Sequence, residues 1–225
     1  MRYLWYKNHV TELPENILLI DKPSGITSFD VIRQLRKKLG INKMGHAGTL
    51  DPLATGLMII ATQKGTKLLS HYLKLPKTYE AEILLGTRTD SGDITGKIIE
   101  TKPVTPIDPQ EITAVAATLV GTHTLSVPTY SAIKVDGVRL YKRAHRGEQD
   151  IQTPKKEMVV TRMEIQNVTY HNDACTISCV IDVASGTYIR SIAEELGKRL
   201  GYPATIQELR RTRIGPFDIQ DAVAL

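Results

Sequence analysis

The residues best suited to chemistry lie in one glycine-rich segment, GHAGTLDPLATG, from Gly45 to Gly56. Glycine allows a backbone to approach a ligand closely, and His46 and Asp51 lie between the glycines of this segment. A helix N-cap followed by proline at the first helical position would also explain the Asp-Pro pair, and the local spacing favours this structural interpretation. The functional alternative is a carboxylate that a tight loop presents to a ligand.

Two other segments place polar side chains on apolar faces. Arg190 lies one turn into a predicted helix, SGTYIRSIAEELG, where an arginine needs a partner and a carboxylate is the natural one. An exposed arginine on a surface helix explains this pattern equally well. Tyr79 lies on the apolar face of an alternating strand, KTYEAEILLG, where periodicity alone predicts a core tyrosine.

Apolar periodicity and turn residues predict the elements that must position these side chains. Strands are predicted at residues 17–20, 57–61, 78–85, 158–168 and 174–183. Helices are predicted from the capping pair Thr27 and Asp30 to Gly40, after Asp108-Pro109, over residues 189–200, and after the capping pair Thr205 and Glu208. Because strands and helices mix without a regular βαβ rhythm, we expect an α+β fold around a mixed, mainly antiparallel sheet with flanking helices. Residues 121–154 are basic and rich in turn residues, so we expect a mobile arm or a large loop there.

Composition restricts the class of protein. The 225 residues are 41% hydrophobic and 24% charged, which is typical of a globular chain rather than a disordered one. No apolar stretch is long enough to span a membrane, and residues 1–16 lack the apolar core of a secretory signal, so we expect a cytoplasmic protein.

Cys175 and Cys179 lie on one face of a strand, roughly 13 Å apart, which is too far for a disulfide. No CxxC or HExxH pattern occurs, so a metalloenzyme is not expected.

The basic residues form three separated patches. Five basic and no acidic residues lie between Val31 and Gly48, and seven basic and four acidic residues lie between Lys134 and Glu157. The third patch consists of Arg210, Arg211 and Arg213. Three separated patches suit an extended polyanion better than a small anion, although solvated surface is the alternative for each patch. The chain lacks GxGxxG and GxxxxGK[ST] segments, which disfavours nucleotide-cofactor folds.

Six motifs occur in an order typical of one family: NILLIDKPSGITSFDVIRQLRKKLG, GHAGTLDPLATGLM, KTYEAEILLG, PTYSAIKVDG, SGTYIRSIAEELG and LRRTRIGPF. From about Asn16 to Leu225 the chain resembles the TruB family of tRNA pseudouridine synthases, which form pseudouridine 55 in the T loop. The resemblance implies base flipping and an aspartate-dependent cleavage and re-formation of the glycosidic bond, without cofactor or metal. It implies the T arm of tRNA as partner, and we expect a monomer with no membrane association.

The resemblance also implies a domain organisation. We expect one catalytic domain over residues 1–225, with the family's mixed sheet and flanking helices and a thumb-like arm at about 121–154. Many bacterial members continue into a C-terminal PUA domain. This chain ends about ten residues after LRRTRIGPF, so we expect no PUA domain in it.

Roles for individual residues follow from the resemblance as well. Asp51 is expected to be the catalytic aspartate, Tyr79 the tyrosine under the flipped base, and Arg190 the arginine that pairs with the aspartate. The expected substrate-binding residues are His46, which stacks into the T loop, together with Lys22, Gly45, Lys134, Tyr188 and Leu209. The alternative function is an RNA chaperone that folds tRNA without catalysis. The presence of Asp51, Tyr79 and Arg190 together favours catalysis.

Overall fold

The computed structural model describes residues 13–148 and 151–225. In chain order its strands are β1 (Ile17–Lys22), β2 (Met44–Ala47), β3 (Thr55–Thr62), β4 (Lys77–Leu85), β5 (Thr87–Thr89), β6 (Ile98–Thr101), β7 (Gly121–Ser126), β8 (Lys134–Val135), β9 (Val138–Arg139), β10 (Lys155–His171), β11 (Ala174–Val183), β12 (Ala204–Ile214), β13 (Phe217–Asp218) and β14 (Val223–Ala224). The α-helices are α1 (Ser28–Leu39), α2 (Leu69–Leu73), α3 (Pro109–Ala117), α4 (Leu140–His145) and α5 (Ile189–Arg199). Two 3-10 helices cover Gln63–Leu68 and Ile219–Asp221.

The chain divides into two compact units, Met1–Tyr79 with Leu209–Leu225, and Glu80–Glu208. Residues 1–12, which belong to the segment expected to lack a secretory signal, and residues 149–150 of the expected arm lie outside the described residues. No helix among the described residues is both long and apolar enough to cross a membrane.

The sheet of the first unit has the strand order β14-β1-β3-β12, with β2 paired to β3 and β13 paired to β12. The β1–β14 and β3–β12 pairs are parallel, whereas β1–β3, β2–β3 and β12–β13 are antiparallel. Strand β3 is buried along almost its whole length, and its side chains form the centre of the core. That core cluster consists of Ile17, Leu19, Ala47, Leu57, Ile59, Ala61, Tyr72 and Ile214.

Helix α1 begins and ends where the sequence predicts. Thr27 accepts a hydrogen bond from the backbone of Asp30, whose carboxylate accepts one from the backbone of Thr27, and this reciprocal pair is a capping box. Gly40 ends the helix in the left-handed conformation with φ of +67°, which costs glycine no steric strain. The helix buries the apolar face that includes Val31 and Leu35.

In the second unit the strand order β4-β11-β10-β7 forms the sheet, with the pairs β10–β11 and β7–β10 antiparallel. The alternation predicted for residues 174–183 is confirmed, because Cys175, Ile177, Cys179, Ile181 and Val183 are all buried. Both cysteines are free thiols. Their unit also contains α3, α4 and α5, so the α+β class with a mainly antiparallel sheet is confirmed.

One sequence prediction about an element is wrong. No helix follows Thr205, because residues 204–214 form strand β12 and the Thr205 hydroxyl lies 3.0 Å from the Thr89 hydroxyl instead of capping a helix. The segment 121–154, which we expected to be a mobile arm or a large loop, contains regular elements. Its described residues contain β7, which pairs with β10 over six residues, then the β8–β9 hairpin and helix α4.

Candidate active site

Asp51 lies in a short loop between the antiparallel strands β2 and β3. The loop turns at Asp51, whose carbonyl accepts a hydrogen bond from the Ala54 amide at 3.1 Å. The residues after Pro52 form a turn and then strand β3, so the N-cap interpretation of Asp51 is wrong. Residues 45–47, which belong to the glycine-rich segment, are part of β2.

Two serines, one before α1 and one at its first position, hold this loop through its backbone. The Ser28 hydroxyl donates to the Leu50 carbonyl at 3.0 Å and accepts from the Leu50 amide at 2.8 Å. The Ser24 hydroxyl donates to the Leu53 carbonyl at 3.0 Å. These bonds flank Asp51 on both sides, and they restrict the conformations available to its carboxylate.

Lys22 is fully buried beneath the same loop. Its ammonium donates to the carbonyls of Ala54 at 2.6 Å, Pro23 at 2.9 Å and Pro52 at 3.2 Å. An ammonium has three donors, and three carbonyls accept from it here. The expectation that Lys22 contacts the substrate does not fit this burial, and the geometry instead gives Lys22 a role in positioning the loop.

Burial lowers the pKa of Lys22 to about 8, and the nearby Arg211 guanidinium lowers it further while the Asp51 and Asp30 carboxylates oppose the shift. Asp51 is therefore close enough to act on the charge of Lys22. The charge of the Asp51 carboxylate therefore influences the protonation of Lys22.

His46 and Gly45 lie on β2, immediately before the loop. Burial lowers the pKa of His46, and the Arg211 charge lowers it further, whereas the backbone of Gly48 opposes the shift. The Nδ1 atom of His46 is enclosed and has no hydrogen-bond partner among the described residues. Gly45 packs closely, since a Cβ at this position would lie 2.8 Å from Leu69 Cδ1.

Tyr79 on β4 and Leu209 on β12 also belong to the first unit, and each side chain is 8% exposed. Lys77, two residues before Tyr79, is buried as well. Its ammonium donates to the carbonyls of Leu73 at 2.6 Å and Leu75 at 2.5 Å. Burial lowers the pKa of Lys77 to about 8, with a further contribution from the charge of Arg211.

The pKa of Lys77 predicts how stability depends on pH. The ordinary lysine pKa is 10.5, so between pH 8 and 10.5 the unfolded chain binds more protons than the folded one. The penalty for burying the charge is therefore fully present below pH 8, and stability rises with pH through this interval. Relative to Lys77→Met, the free energy of unfolding of the wild type should increase by about 1 kcal/mol over this interval, after allowance for solvent screening.

Urea denaturation at several pH values measures this difference. The exposed Lys67 provides the control, because Lys67→Met removes a lysine from the surface of the same unit. A difference between the wild type and Lys77→Met that is the same at every pH would contradict the prediction.

Arg190 lies in the first turn of α5 in the second unit and is only 4% exposed. The alternative of an exposed arginine on a surface helix is therefore wrong. Its guanidinium donates to the Ser91 carbonyl at 2.6 Å and to the Tyr130 carbonyl at 2.9 Å. Gly92 lies against it, since a Cβ there would be 3.3 Å from the Arg190 Cβ.

The loop that holds Arg190 is itself ordered by an aspartate. The Asp93 carboxylate accepts hydrogen bonds from the Ser91 hydroxyl at 3.1 Å and from the Thr95 amide at 3.0 Å. The Thr89 hydroxyl donates to the Asp93 carbonyl at 2.7 Å. The guanidinium of Arg190 is thus oriented by two backbone carbonyls, and the hydrogen bonds of Asp93 order the loop that carries one of them, Ser91.

The other two expected residues of the second unit lie near its surface. Tyr188 is the N-cap residue of α5, and the Lys156 ammonium lies 5.8 Å from the centre of its ring. Lys134 is exposed on β8, where it pairs with Arg139 across the β8–β9 hairpin.

The expected site residues therefore divide between the units. The first unit contains Lys22, Gly45, His46, Asp51, Tyr79 and Leu209, and the second contains Lys134, Tyr188 and Arg190. Sequence reasoning assigned no role to Ser24, Ser28 and Lys77, although all three lie within the family motifs. Ser24 and Ser28 bind carbonyls of the Asp51 loop, and Lys77 binds the Leu73 and Leu75 carbonyls. Residues 13–148 and 151–225 include no group of three His, Cys, Asp or Glu side chains placed to hold a metal ion.

Comparison with protein families gives matches along most of the chain. Residues 36–189 match the N-terminal domain of the TruB family pseudouridylate synthases, and residues 190–225 match the tRNA pseudouridylate synthase B C-terminal domain. The fold and these matches define an enzyme of the pseudouridine synthase class. The chain belongs to the TruB family.

Curated relatives agree with this assignment. The chain is 42% identical over 211 residues to tRNA pseudouridine synthase B of Opitutus terrae, covering 94% of this chain and 86% of the relative. It is 40% identical over 209 residues to the protein of the same name from Endomicrobium trichonymphae, covering 93% and 89%.

Solved structures share the fold. A chain of a Cbf5-Nop10-Gar1 complex superimposes with a TM-score of 0.70 at 27% identity, covering 93% of this chain and 52% of that chain. A chain of an H/ACA RNP bound to a substrate RNA containing 2'-deoxyuridine superimposes with a TM-score of 0.66 at 25% identity, covering 92% and 50%. This protein spans about half the length of those two chains.

Proposed function

We propose that this protein converts uridine 55 in the T loop of tRNA to pseudouridine, with Asp51 as the catalytic carboxylate. The observation that carries the proposal is the Asp51 loop, because a single half-buried carboxylate lies on a turn whose backbone is bound by Lys22, Ser24 and Ser28. Such preorganisation suits a group that must meet a reacting atom in one geometry. The relatives named tRNA pseudouridine synthase B support the substrate.

The reaction needs no external reagent. The C–N glycosidic bond to uracil breaks, the base turns, and a C–C bond forms to the same ribose, so the product is an isomer of the substrate. Breaking the bond builds positive charge on the ribose, and a nearby carboxylate stabilises or traps such charge, as in glycoside hydrolysis. Asp51 must be ionised for either role.

Two further side chains complete the proposed chemistry. Burial of a carboxylate raises its pKa and a neighbouring arginine offsets that rise, which is the role we propose for Arg190 toward Asp51. The Tyr79 ring stacks on the uracil, and its hydroxyl removes or returns a proton. Tyr188 and Leu209 line the apolar surroundings of the base.

Uridine 55 must leave its stack before it can react, which costs a few kcal/mol. We propose that His46, one strand residue from the Asp51 loop, fills the vacated space, where base stacking contributes about 1–3 kcal/mol. Its lowered pKa favours a neutral imidazole, which stacks without a charge to desolvate. Phosphate contacts supply the rest of the binding free energy.

The exposed basic residues support an RNA-binding role. Lys37, Lys38 and Lys43 are exposed around the end of α1, and Lys134, Arg139, Lys142, Arg146, Lys155 and Lys156 are exposed in the second patch. In the third patch Arg211 is buried and Arg210 forms an ion pair with Asp21 at 2.7 Å. We therefore assign most phosphate contacts to the first two patches, and we propose that the protein acts as a cytoplasmic monomer on the T arm.

Chemical mapping of pseudouridine tests the proposed function. We expect the wild type to convert one uridine in a T-arm hairpin, at the position of uridine 55, in the presence of EDTA and monovalent salt. Conversion at another position would overturn the T-loop assignment. Refolding of tRNA without any pseudouridine would instead favour the RNA chaperone.

A comparison of two substrates tests the T-arm assignment. If the contacts fall on the T arm, the hairpin should react with a kcat/KM within about a hundredfold of whole tRNA, since a hundredfold is about 2.7 kcal/mol of transition-state stabilisation. With on the order of five phosphate contacts, log affinity should fall by about 0.7–0.9 per contact for each unit of log salt. A larger hairpin defect at matched salt would contradict the assignment.

A further inference from the structure

Arg211 is the largest fully buried side chain of the described residues, with 1% exposure, although it lies in the basic run LRRTR. Its Nε atom donates to the Leu57 carbonyl at 2.8 Å, and its Nη2 atom donates to the Gly48 carbonyl at 3.2 Å. Its burial excludes it from contact with phosphate in this conformation. Another role must account for a guanidinium in this position.

The two acceptors lie at opposite ends of the Asp51 loop. Gly48 is the first residue after β2, and Leu57 lies near the start of β3. A planar guanidinium presents its donors in a rigid fork, so one side chain can connect two carbonyls at a fixed separation. Arg211 therefore connects the two ends of the Asp51 loop.

Two glycines of the motif lie next to Arg211, Gly56 beside its backbone and Gly48 beside its guanidinium. Gly56 has a φ of +104°, and a Cβ there would lie 2.3 Å from the Arg211 carbonyl oxygen. Gly48 has a φ of +90°, and a Cβ there would lie 3.5 Å from Arg211 Nη1. The positive φ favours glycine at both positions, and at Gly56 the close approach of the Arg211 backbone requires it as well.

The electrostatic surroundings of Arg211 are unfavourable for folding. Lys22 from β1, His46 from β2 and Lys77 from β4 each have a pKa that the charge of Arg211 lowers. The Asp51 carboxylate acts in the opposite sense on Lys22. A buried cation among basic groups is weak evidence for a stabilising role, so the geometry that it imposes is the better explanation of its position.

We propose that Arg211 is a positioning residue that holds the Asp51 loop in its reactive conformation by bridging the Gly48 and Leu57 carbonyls. The proposal rests on the proposed function in taking Asp51 as the catalytic carboxylate. Arg211 does not touch the substrate. It acts through the loop backbone, so its loss affects the chemical step more than RNA binding.

Two substitutions distinguish the effect of the two hydrogen bonds of Arg211 from the effect of its positive charge. Arg211→Met keeps the length and removes both the donors and the charge, whereas Arg211→Lys keeps the charge but cannot reach both carbonyls as a fork. Arg199→Met is the matched control, because Arg199 donates to the Thr118 carbonyl at 2.9 Å within the second unit. Circular dichroism and thermal unfolding establish that each variant is folded.

Three measurements test the proposal. Single-turnover rates on a T-arm hairpin should fall about 30- to 100-fold in both Arg211 variants, since a misplaced reacting group costs on the order of a hundredfold, while hairpin Kd values stay within about threefold. Amide hydrogen exchange over residues 48–57 should accelerate in both variants and not in the control. The pKa of His46, followed by NMR, should rise in Arg211→Met and stay low in Arg211→Lys.

The outcomes distinguish this inference from the proposed function. Unchanged exchange over residues 48–57 together with a rate within threefold of wild type in Arg211→Lys would overturn the bridge, and this variant decides the question if Arg211→Met fails to fold. An equal rate loss in Arg199→Met would also overturn it, because general destabilisation would then be the cause. Faster exchange in the Arg211 variants, with full turnover in Asp51→Asn, would support the bridge and reject Asp51 as the catalytic group.

Discussion

Asp51→Asn should abolish pseudouridine formation, with a single-turnover rate at least about 10⁴-fold below wild type, while RNA binding changes by no more than a few-fold. Asparagine has nearly the same shape as aspartate. The loop is held through backbone atoms of Leu50, Pro52 and Leu53, which the substitution leaves in place. The variant therefore removes the negative charge and little else.

The measurement is single-turnover conversion of a T-arm hairpin with enzyme in excess, combined with a Kd for the same RNA. Asp108→Asn is the matched control, since Asp108 caps α3 through the Gln110 amide and asparagine caps a helix equally well. The control should retain wild-type turnover. Substantial turnover by Asp51→Asn would contradict the mechanism proposed for this site.

Tyr79→Phe should bind RNA and flip the target uridine but stall before product forms. The ring remains for stacking on the base and only the hydroxyl is lost, so we expect a rate reduction of about 10²–10⁴-fold, the usual contribution of general acid–base catalysis. Because Tyr79 is only 8% exposed, its ring is held firmly enough for phenylalanine to take the same place. The effect should lie in the rate and not in the affinity.

Fluorescence of a base analogue at the target position reports flipping, and single-turnover kinetics report the chemistry. Tyr72→Phe is the control, because Tyr72 is a buried tyrosine of the same unit that packs edge-on against Phe217 in the core. It tests whether loss of any buried hydroxyl slows the enzyme. A near-normal rate in Tyr79→Phe would remove the hydroxyl from the mechanism.

The sequence by itself determined those elements that are stabilised by interactions between residues only a few positions apart in the chain. Thr27, Asp30 and Gly40 define both ends of α1 because capping bonds join residues close along the chain. Strict alternation likewise placed Cys175 and Cys179 on the buried face of β11. The family could also be assigned from the sequence, since six motifs in order depend on residue identity and not on how the chain packs.

Only the tertiary structure decided which basic residues are surface charge and which are buried connectors. Lys22 and Arg211 resemble exposed cations in the sequence, yet each binds carbonyls of the Asp51 loop, from 30 to 163 residues away. Similarly, Thr205 looked like a helix cap but bonds Thr89, 116 residues earlier. A local pattern cannot predict such contacts, because the partner groups come together only when distant strands pair, and the burial of a charge is determined by what those strands enclose.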